Sequence, residues 1–126
     1  MIDACLERGW MFTISPAPLA SWDIVVALRD HPYRGIATAH WKSNVKLANA
    51  QASGTPILCL PESGYTETES GGEKYIALME ALPAALDSLA PYEERLRRSN
   101  LMVGKSFEYK LPIIAKEYRE WIESLC

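Results

Sequence analysis

The sequence predicts one α/β domain over residues 1–126, in which helices flank a Rossmann-like parallel sheet and an amphipathic helix lies at the C-terminus. Its 126 residues are close to the commonest domain size, and 48% hydrophobic against 23% charged residues is ordinary for a globular chain. Two runs, Asp23–Leu28, which is β-branched, and Ile57–Leu60, have the character of strands buried on both faces. A helical segment separates them, which is the order of a parallel β-α-β crossover.

The chain before the first strand contains two predicted elements. Residues 3–8 are expected to form a short helix that ends at Gly9 in a left-handed cap. Trp10–Ile14 is an apolar, β-prone run, and the Ser-Pro-Ala-Pro sequence at residues 15–18 ends it in a loop.

The segment between the two strands begins with a loop at residues 29–35, where Pro32 and Gly35 interrupt regular structure. A helix is then predicted from Ser43 or Asn44, either of which serves as its N-cap, to a terminating Gly54. Its interior is rich in alanine, which lets the helix lie close to a sheet.

Three elements are predicted after the second strand. The polar residues 62–72 indicate a loop or a short helix at the rim of the sheet, and residues 75–79 a short edge strand. Pro83 fits the first turn of a helix that extends to Leu89. Pro91 is expected to open another helix, with five charged residues on its solvent-exposed face: Glu93, Glu94, Arg95, Arg97 and Arg98.

The last segment has apolar residues at helical spacing. This spacing of three and four predicts an amphipathic helix that packs on the body of the domain. The residues concerned are Ile113, Ile114, Tyr118, Trp121, Ile122 and Leu125.

The composition excludes several classes of function. A net charge of −3 argues against non-specific nucleic-acid binding. No segment approaches the roughly 20 apolar residues of a membrane span, and residues 1–8 lack the apolar core of a secretory signal. The three cysteines and two histidines match no metal-ligand spacing, so no metal and a reduced cytoplasmic setting are expected. No Gly-x-Gly-x-x-Gly follows a strand, so no dinucleotide cofactor is expected.

One region of this acidic chain is locally basic. Residues 29–61 contain four basic residues against one acid, and no carboxylate lies between Asp30 and Glu62. Ligands of open α/β sheets bind beyond the carboxyl ends of the strands, where helix N-termini attract anions. The predicted helix starts at this edge, so a phosphate or pyrophosphate is the expected ligand of five nearby residues: Arg29, Lys42, Ser43, Asn44 and Lys46.

Several polar residues of this region also have a simpler interpretation. Lysines one turn apart, as Lys42 and Lys46 are, commonly lie on a solvated surface. Arg29 has Asp30 and Asp23 as alternative partners, and Asn49 in the middle of the helix fits a polar contact with a neighbouring loop.

Residues 46–58 (KLANAQASGTPIL) resemble the donor-binding domain of retaining GT-B glycosyltransferases. The family segment is lysine, two apolar residues, Glu-Ala-x-Ala-x-Gly-Thr-Pro-Val-Ile, and it forms a helix and the following strand. The run from Asp23 through Gly64-Tyr65-Thr66-Glu67 keeps the family's order of strand, basic loop, helix and polar turn. Residues 107–125 are similar to the aromatic-led C-terminal helix of such enzymes.

The resemblance implies roles for particular residues. Lys46, helped by Lys42 and Arg29, would neutralise the nucleotide diphosphate, together with N–H groups at the helix start. Asn49 stands where the family has the glutamate that holds the ribose, and Trp41 where it has an earlier glutamate, so the catalytic residues are left unassigned. The resemblance also places the turn residues Tyr65, Thr66 and Glu67 among the substrate-binding residues.

The function implied is binding of a nucleotide diphosphate sugar for glycosyl transfer. Such enzymes hold the acceptor on another domain, so a separate acceptor-binding domain, a partner subunit or a homo-oligomer is expected. The alternatives are a non-catalytic binding protein that retains the fold, and an α/β domain for another phosphorylated ligand.

Overall fold

The computed structural model describes residues 1–14, 17–28 and 43–125. It is a mixed α/β structure with a small open sheet of three parallel strands in the order β1-β2-β3. The strands are β1 (Val25–Ala27), β2 (Ile57–Cys59) and β3 (Lys74–Tyr75).

Six helices and three short 3₁₀ turns are present in the described part of the chain. The helices are α1 (Ile2–Leu6), α2 (Val45–Ser53), α3 (Ser63–Thr66), α4 (Leu82–Leu89), α5 (Tyr92–Ser106) and α6 (Leu111–Ser124). The 3₁₀ turns are Leu19–Ser21, Met79–Ala81 and Phe107–Tyr109.

The β1-α2-β2 order confirms the predicted parallel crossover. Helix α2 has Asn44 as its N-cap and ends at Gly54, whose φ of 66° is left-handed. A Cβ atom at Gly54 would lie 2.8 Å from Val103 Cγ2, so glycine also allows α5 to approach the end of α2 closely. The predicted loop at residues 29–35 lies outside the described residues.

Buried side chains form two clusters that share the sheet. Successive strand residues point to opposite faces, and Leu58 belongs to one cluster whereas Ile57 and Cys59 belong to the other. The first cluster contains residues of α1 and α4, and the second contains residues of α2, α3 and α5. Helices therefore cover both faces, which explains why β2 is buried throughout.

Two predicted strands differ from the structure. Trp10–Ile14 is not a strand; Trp10 and Phe12 pack against the first cluster while Ile14 is 94% exposed. The predicted strand at residues 75–79 is Lys74–Tyr75 instead. Beyond Tyr75 only the Ile76 N–H still reaches β2, and the chain then enters the 3₁₀ turn.

The prediction for the face of α5 is wrong at two arginines. The Arg98 side chain is only 11% exposed and donates to the carbonyl oxygens of Gly72 and Glu73. Arg95 is 20% exposed and donates to the carbonyl oxygens of Leu89 and Ala90. Arginine reaches buried carbonyl groups through its long aliphatic stem, which a helical pattern of charges does not reveal.

Helix α6 forms as predicted, but it does not pack on the body. None of its residues is buried, and Leu111, Tyr118 and Trp121 are 78%, 63% and 59% exposed. The periodicity specified an apolar face, but it contained no information about a surface for that face to cover. No described helix is long and apolar enough to cross a membrane.

Candidate functional site

The carboxyl ends of the three strands define the edge at which the predicted site lies. Because β1 and β2 are parallel, the connecting helix α2 runs back along the sheet and starts near this edge. The side chain of the N-cap Asn44 makes no capping hydrogen bond. The first intrahelical bond is from the Ala48 N–H to the Asn44 carbonyl oxygen, at 2.8 Å. The amide groups of residues 45–47 therefore supply the positive end of the helix dipole.

Asn44 contacts a loop instead of its own helix. Its Nδ2 donates to Thr68 Oγ1 at 3.0 Å, and that hydroxyl donates to the Gly64 carbonyl oxygen at 2.8 Å. These bonds fix the start of α2 against the chain that follows β2. The Asn44 side chain therefore holds the helix in position. The backbone groups of Asn44 and Ser43 lie at the start of the helix.

Lys46 and Asn49 lie together on the exposed side of α2, three residues apart and so one turn from each other. The Lys46 ammonium group forms no ion pair with any residue in the described ranges. Ser43 is also exposed. The predicted helpers Lys42 and Arg29 lie outside the described residues, as does Trp41.

The three predicted turn residues have different surroundings. Tyr65 is 1% exposed and belongs to the second core cluster with Leu47 and Ala50 of α2. Thr66 and Glu67 are exposed at the end of α3, where Thr66 Oγ1 donates to the Ser63 carbonyl oxygen at 3.1 Å. Tyr65 therefore has the surroundings of a core residue, and a ligand contact for any of the three stays a prediction.

A buried polar cluster beside α2 was not foreseen from the sequence. Gln51, fully buried, donates through Nε2 to the Thr68 carbonyl oxygen at 2.9 Å and to Glu73 Oε1 at 3.0 Å. Glu73 also accepts from the Ser70 N–H at 2.9 Å and the Ser70 hydroxyl at 2.8 Å. The only sequence signal was the position of Gln51, one turn after Leu47 on the apolar side of the helix.

Two ionisable groups of the strands beside this cluster, Cys59 and Tyr75, are not activated for chemistry. Burial raises the pKa of the Cys59 thiol to about 12, and the carboxylates of Glu73 and Glu62 raise it further. Burial likewise raises the pKa of Tyr75, whose hydroxyl and Gln51 Oε1 have no hydrogen-bond partner among the described residues. Because a thiolate is the reactive form of cysteine, Cys59 has the properties of a core residue and not of a nucleophile.

No protein-family model, curated protein or solved structure matches this chain. Within the described ranges, no three histidine, cysteine, aspartate or glutamate residues group closely enough to hold a metal ion. The structure itself defines a mixed α/β protein with a parallel sheet. A helix with a lysine in its first turn starts at the carboxyl edge of this sheet.

Proposed function

We propose that this chain is a Rossmann-like, glycosyltransferase-like domain that binds the diphosphate of a nucleotide-sugar donor. The observation that supports it most is the start of α2, which follows a parallel strand and has no side-chain cap from Asn44. Lys46 is exposed in the first turn of this helix. Free amide groups and a nearby cation are the two features by which helix starts bind phosphate groups.

The proposed division of roles follows the surface of α2. The amide groups of residues 45–47 and the Lys46 ammonium group bind the diphosphate. Asn49, one turn further along the same exposed side, offers an amide to the ribose hydroxyls. Lys42 and Arg29 are proposed helpers on the basis of the sequence. During transfer of the sugar, these cations would stabilise the charge that develops on the departing diphosphate.

Calorimetric titration with UDP- and GDP-sugars tests the proposal. Lys46→Ala is expected to weaken binding about tenfold or more, because a charge-assisted hydrogen bond contributes about 1.5–3 kcal/mol. Lys116→Ala is the matched control, since Lys116 is an exposed lysine of α6 whose side chain is 74% exposed. Absence of heat with all donors at millimolar concentration, or equal affinities of the two variants, would refute the proposal.

The nucleotide specificity of binding separates this function from the alternative of another phosphorylated ligand. A donor site binds UDP or GDP more tightly than inorganic pyrophosphate, because the ribose and base add contacts. Equal affinity for pyrophosphate and both nucleotides would indicate a general anion site.

A non-catalytic binding protein is the second candidate, favoured by the exposed apolar face of α6. Donor hydrolysis distinguishes the two candidates. Release of free sugar from a bound donor, lost in Lys46→Ala, indicates a transferase site. Tight donor binding without hydrolysis, alone or with an acceptor-domain partner, indicates a binding protein.

A further inference from the structure

A cavity of about 350 Å³ lies beside β1, between the chain that follows α1 and the start of α5. Its volume is at the lower end of the range for small-molecule sites. Trp10 and Trp22 contribute two half-buried rings to its lining, and Ile24 and Leu86 contribute aliphatic side chains. Leu86 belongs to the first core cluster, and Trp10 and Ile24 pack against that cluster. The apolar part of the cavity is therefore supported by the core of the domain.

The charged residues of this cavity lie near the amino end of the sheet. Asp23 and Ile24 line the cavity just before β1 begins, and the adjoining Val25 N–H donates to the Pro56 carbonyl oxygen just before β2 begins. The proposed donor site lies at the opposite, carboxyl edge, where α2 starts. Residues 28 and 43, which border the undescribed segment, lie at that carboxyl edge and not beside Asp23.

Arg95 contributes hydrogen-bond donors that no described residue uses. Its NH1 group donates to the carbonyl oxygens of Leu89 and Ala90 at the end of α4, which holds the guanidinium group in place. These bonds occupy two of the five N–H groups that a guanidinium group carries. The Nε and NH2 groups make no hydrogen bond within the described part of the chain. Together they form a planar pair of donors that matches a carboxylate.

Asp23 places the opposite charge beside these donors. Its Oδ1 atom is 3.9 Å from Arg95 NH2, which is beyond hydrogen-bond distance, and its side chain is 88% exposed. A ligand with only a carboxylate would be repelled by Asp23, and a ligand with only an ammonium group would be repelled by Arg95. A zwitterion with adjacent charges is attracted by both residues, so the charges of the cavity select this class of ligand.

We propose that this cavity binds a free amino acid with a large apolar side chain. The α-carboxylate accepts hydrogen bonds from Nε and NH2 of Arg95, and the α-ammonium group donates to the Asp23 carboxylate. The side chain occupies the apolar part of the cavity, where the rings of Trp10 and Trp22 offer aromatic contacts. A residue inside a peptide lacks both charges, so the site distinguishes a free amino acid from a peptide segment. The proposal does not depend on the donor site at the other edge of the sheet.

Calorimetric titration with L-phenylalanine and L-leucine is the first test. The matched probes are the corresponding acid and amine of each, which for L-phenylalanine are 3-phenylpropionate and 2-phenylethylamine. Both probes are expected to bind about tenfold or more weakly than the amino acid, because each leaves one charge of the site without its partner. Absence of binding for both amino acids at millimolar concentration, or equal affinities for an amino acid and its two probes, would overturn the proposal.

Asp23→Asn tests the charge selection at an exposed position. It is expected to weaken L-phenylalanine binding about tenfold or more, whereas 3-phenylpropionate should bind at least as tightly as before because a repulsive charge is removed. Asp3→Asn, on the exposed side of α1, is the matched control and is expected to keep the wild-type affinity. Wild-type affinity for L-phenylalanine in Asp23→Asn would overturn the proposal.

Arg95→Lys keeps the positive charge and removes the planar pair of donors. It is expected to weaken the binding of both L-phenylalanine and 3-phenylpropionate. Arg95 also binds the end of α4, so thermal unfolding of this variant is measured alongside. A folded Arg95→Lys variant with unchanged affinity for both ligands would overturn the assignment of the carboxylate to Arg95.

The indole N–H signals in heteronuclear NMR spectra locate the ligand. L-Phenylalanine is expected to shift the signals of Trp10 and Trp22, which Trp10→Phe and Trp22→Phe identify. Trp121 on the exposed apolar face of α6 is the internal control, and its signal is expected to stay unchanged. A shift confined to Trp121 would place the amino acid on α6 and overturn the proposal.

Discussion

At Gly72 the chain passes so close to α5 that a side chain has no room. A Cβ atom there would lie 2.5 Å from Met102 Cγ and 2.6 Å from the Arg98 carbonyl oxygen. The Arg98 side chain in turn donates to the carbonyl oxygens of Gly72 and Glu73, which holds the two segments together. This glycine therefore sets the distance between α5 and the chain that leads into β3.

We expect Gly72→Ala to lower the free energy of unfolding by about 1–3 kcal/mol, because it overpacks this contact. Gly104→Ala is the control, since a Cβ atom at Gly104 meets no atom within 4 Å. Alanine in the interior of α5 is expected to raise the free energy of unfolding by about 0.5–1 kcal/mol. Urea unfolding of both variants measures the difference, and a neutral Gly72→Ala would contradict the close approach.

Single residues also show which parts of the candidate site were predictable. The end of α2 at Gly54 and its start at Ser43 or Asn44 are predictable, because the signals for helix ends are local; the structure decides for Asn44. The burial of Gln51 was not foreseen, because it depends on Glu73, which is 22 residues away in the sequence. The binding role of Lys46 is predicted from its charge and its position, and it stays a prediction; the structure shows that the residue is exposed.

At the scale of one helix, Glu94 of α5 links two arginines. Its Oε2 accepts from Arg97 Nε and its Oε1 from Arg98 Nε, each at 2.8 Å. The hydrogen bond from Arg97, followed by the charge of Arg98, lowers the pKa of Glu94 from 4.5 to about 2.

A carboxylate with a depressed pKa in the folded state stabilises the fold above its unfolded pKa and loses that effect as the pH falls. The contribution of Glu94 is therefore complete above pH 4.5 and disappears as the pH falls towards about 2. We expect Glu94→Gln to flatten the pH dependence of thermal unfolding within this window. Glu80→Gln, at an exposed turn residue, is the charge-matched control. Parallel pH profiles for Glu94→Gln and the wild type would exclude this role.

The helices α2 and α6 are expected to contribute very differently to stability. Leu47 of α2 is fully buried, so Leu47→Ala should cost about 2–5 kcal/mol in chemical unfolding. Trp121 of α6 is 59% exposed, so Trp121→Asp should change the free energy of unfolding by only about 0.5 kcal/mol. A large loss in the tryptophan variant would show that α6 packs on the domain after all.

At the scale of the whole molecule, the proposed ligand site adjoins the elements that hold the core together. Helix α2 supplies Leu47 and Ala50 to the same cluster as Ile57 and Cys59 of β2. A ligand that binds the start of α2 therefore binds only the folded chain. Its binding free energy adds to the stability of the fold.

We expect UDP or GDP, whichever binds, to raise the free energy of unfolding by about 2.7 kcal/mol at 100 times its dissociation constant. Lys46→Ala should lose most of this increase at the same ligand concentration, whereas Lys116→Ala should keep it. Chemical unfolding with and without the nucleotide gives both numbers. A stabilisation that is independent of Lys46 would place the ligand elsewhere.

The sequence by itself determined the elements whose signals are local. The order strand, helix, strand, the ends of α2 and the starts of α4 and α5 follow from apolar runs, caps and prolines. These signals act within a few residues, so they survive without knowledge of the rest of the fold.

Tertiary structure alone decided what each surface covers. It left Trp10–Ile14 outside the sheet, buried the ring of Tyr65, directed Arg98 to buried carbonyl oxygens and left the apolar face of α6 exposed. The physical reason is that burial and hydrogen bonding join residues far apart in the chain, whereas a periodic pattern specifies a face without its partner.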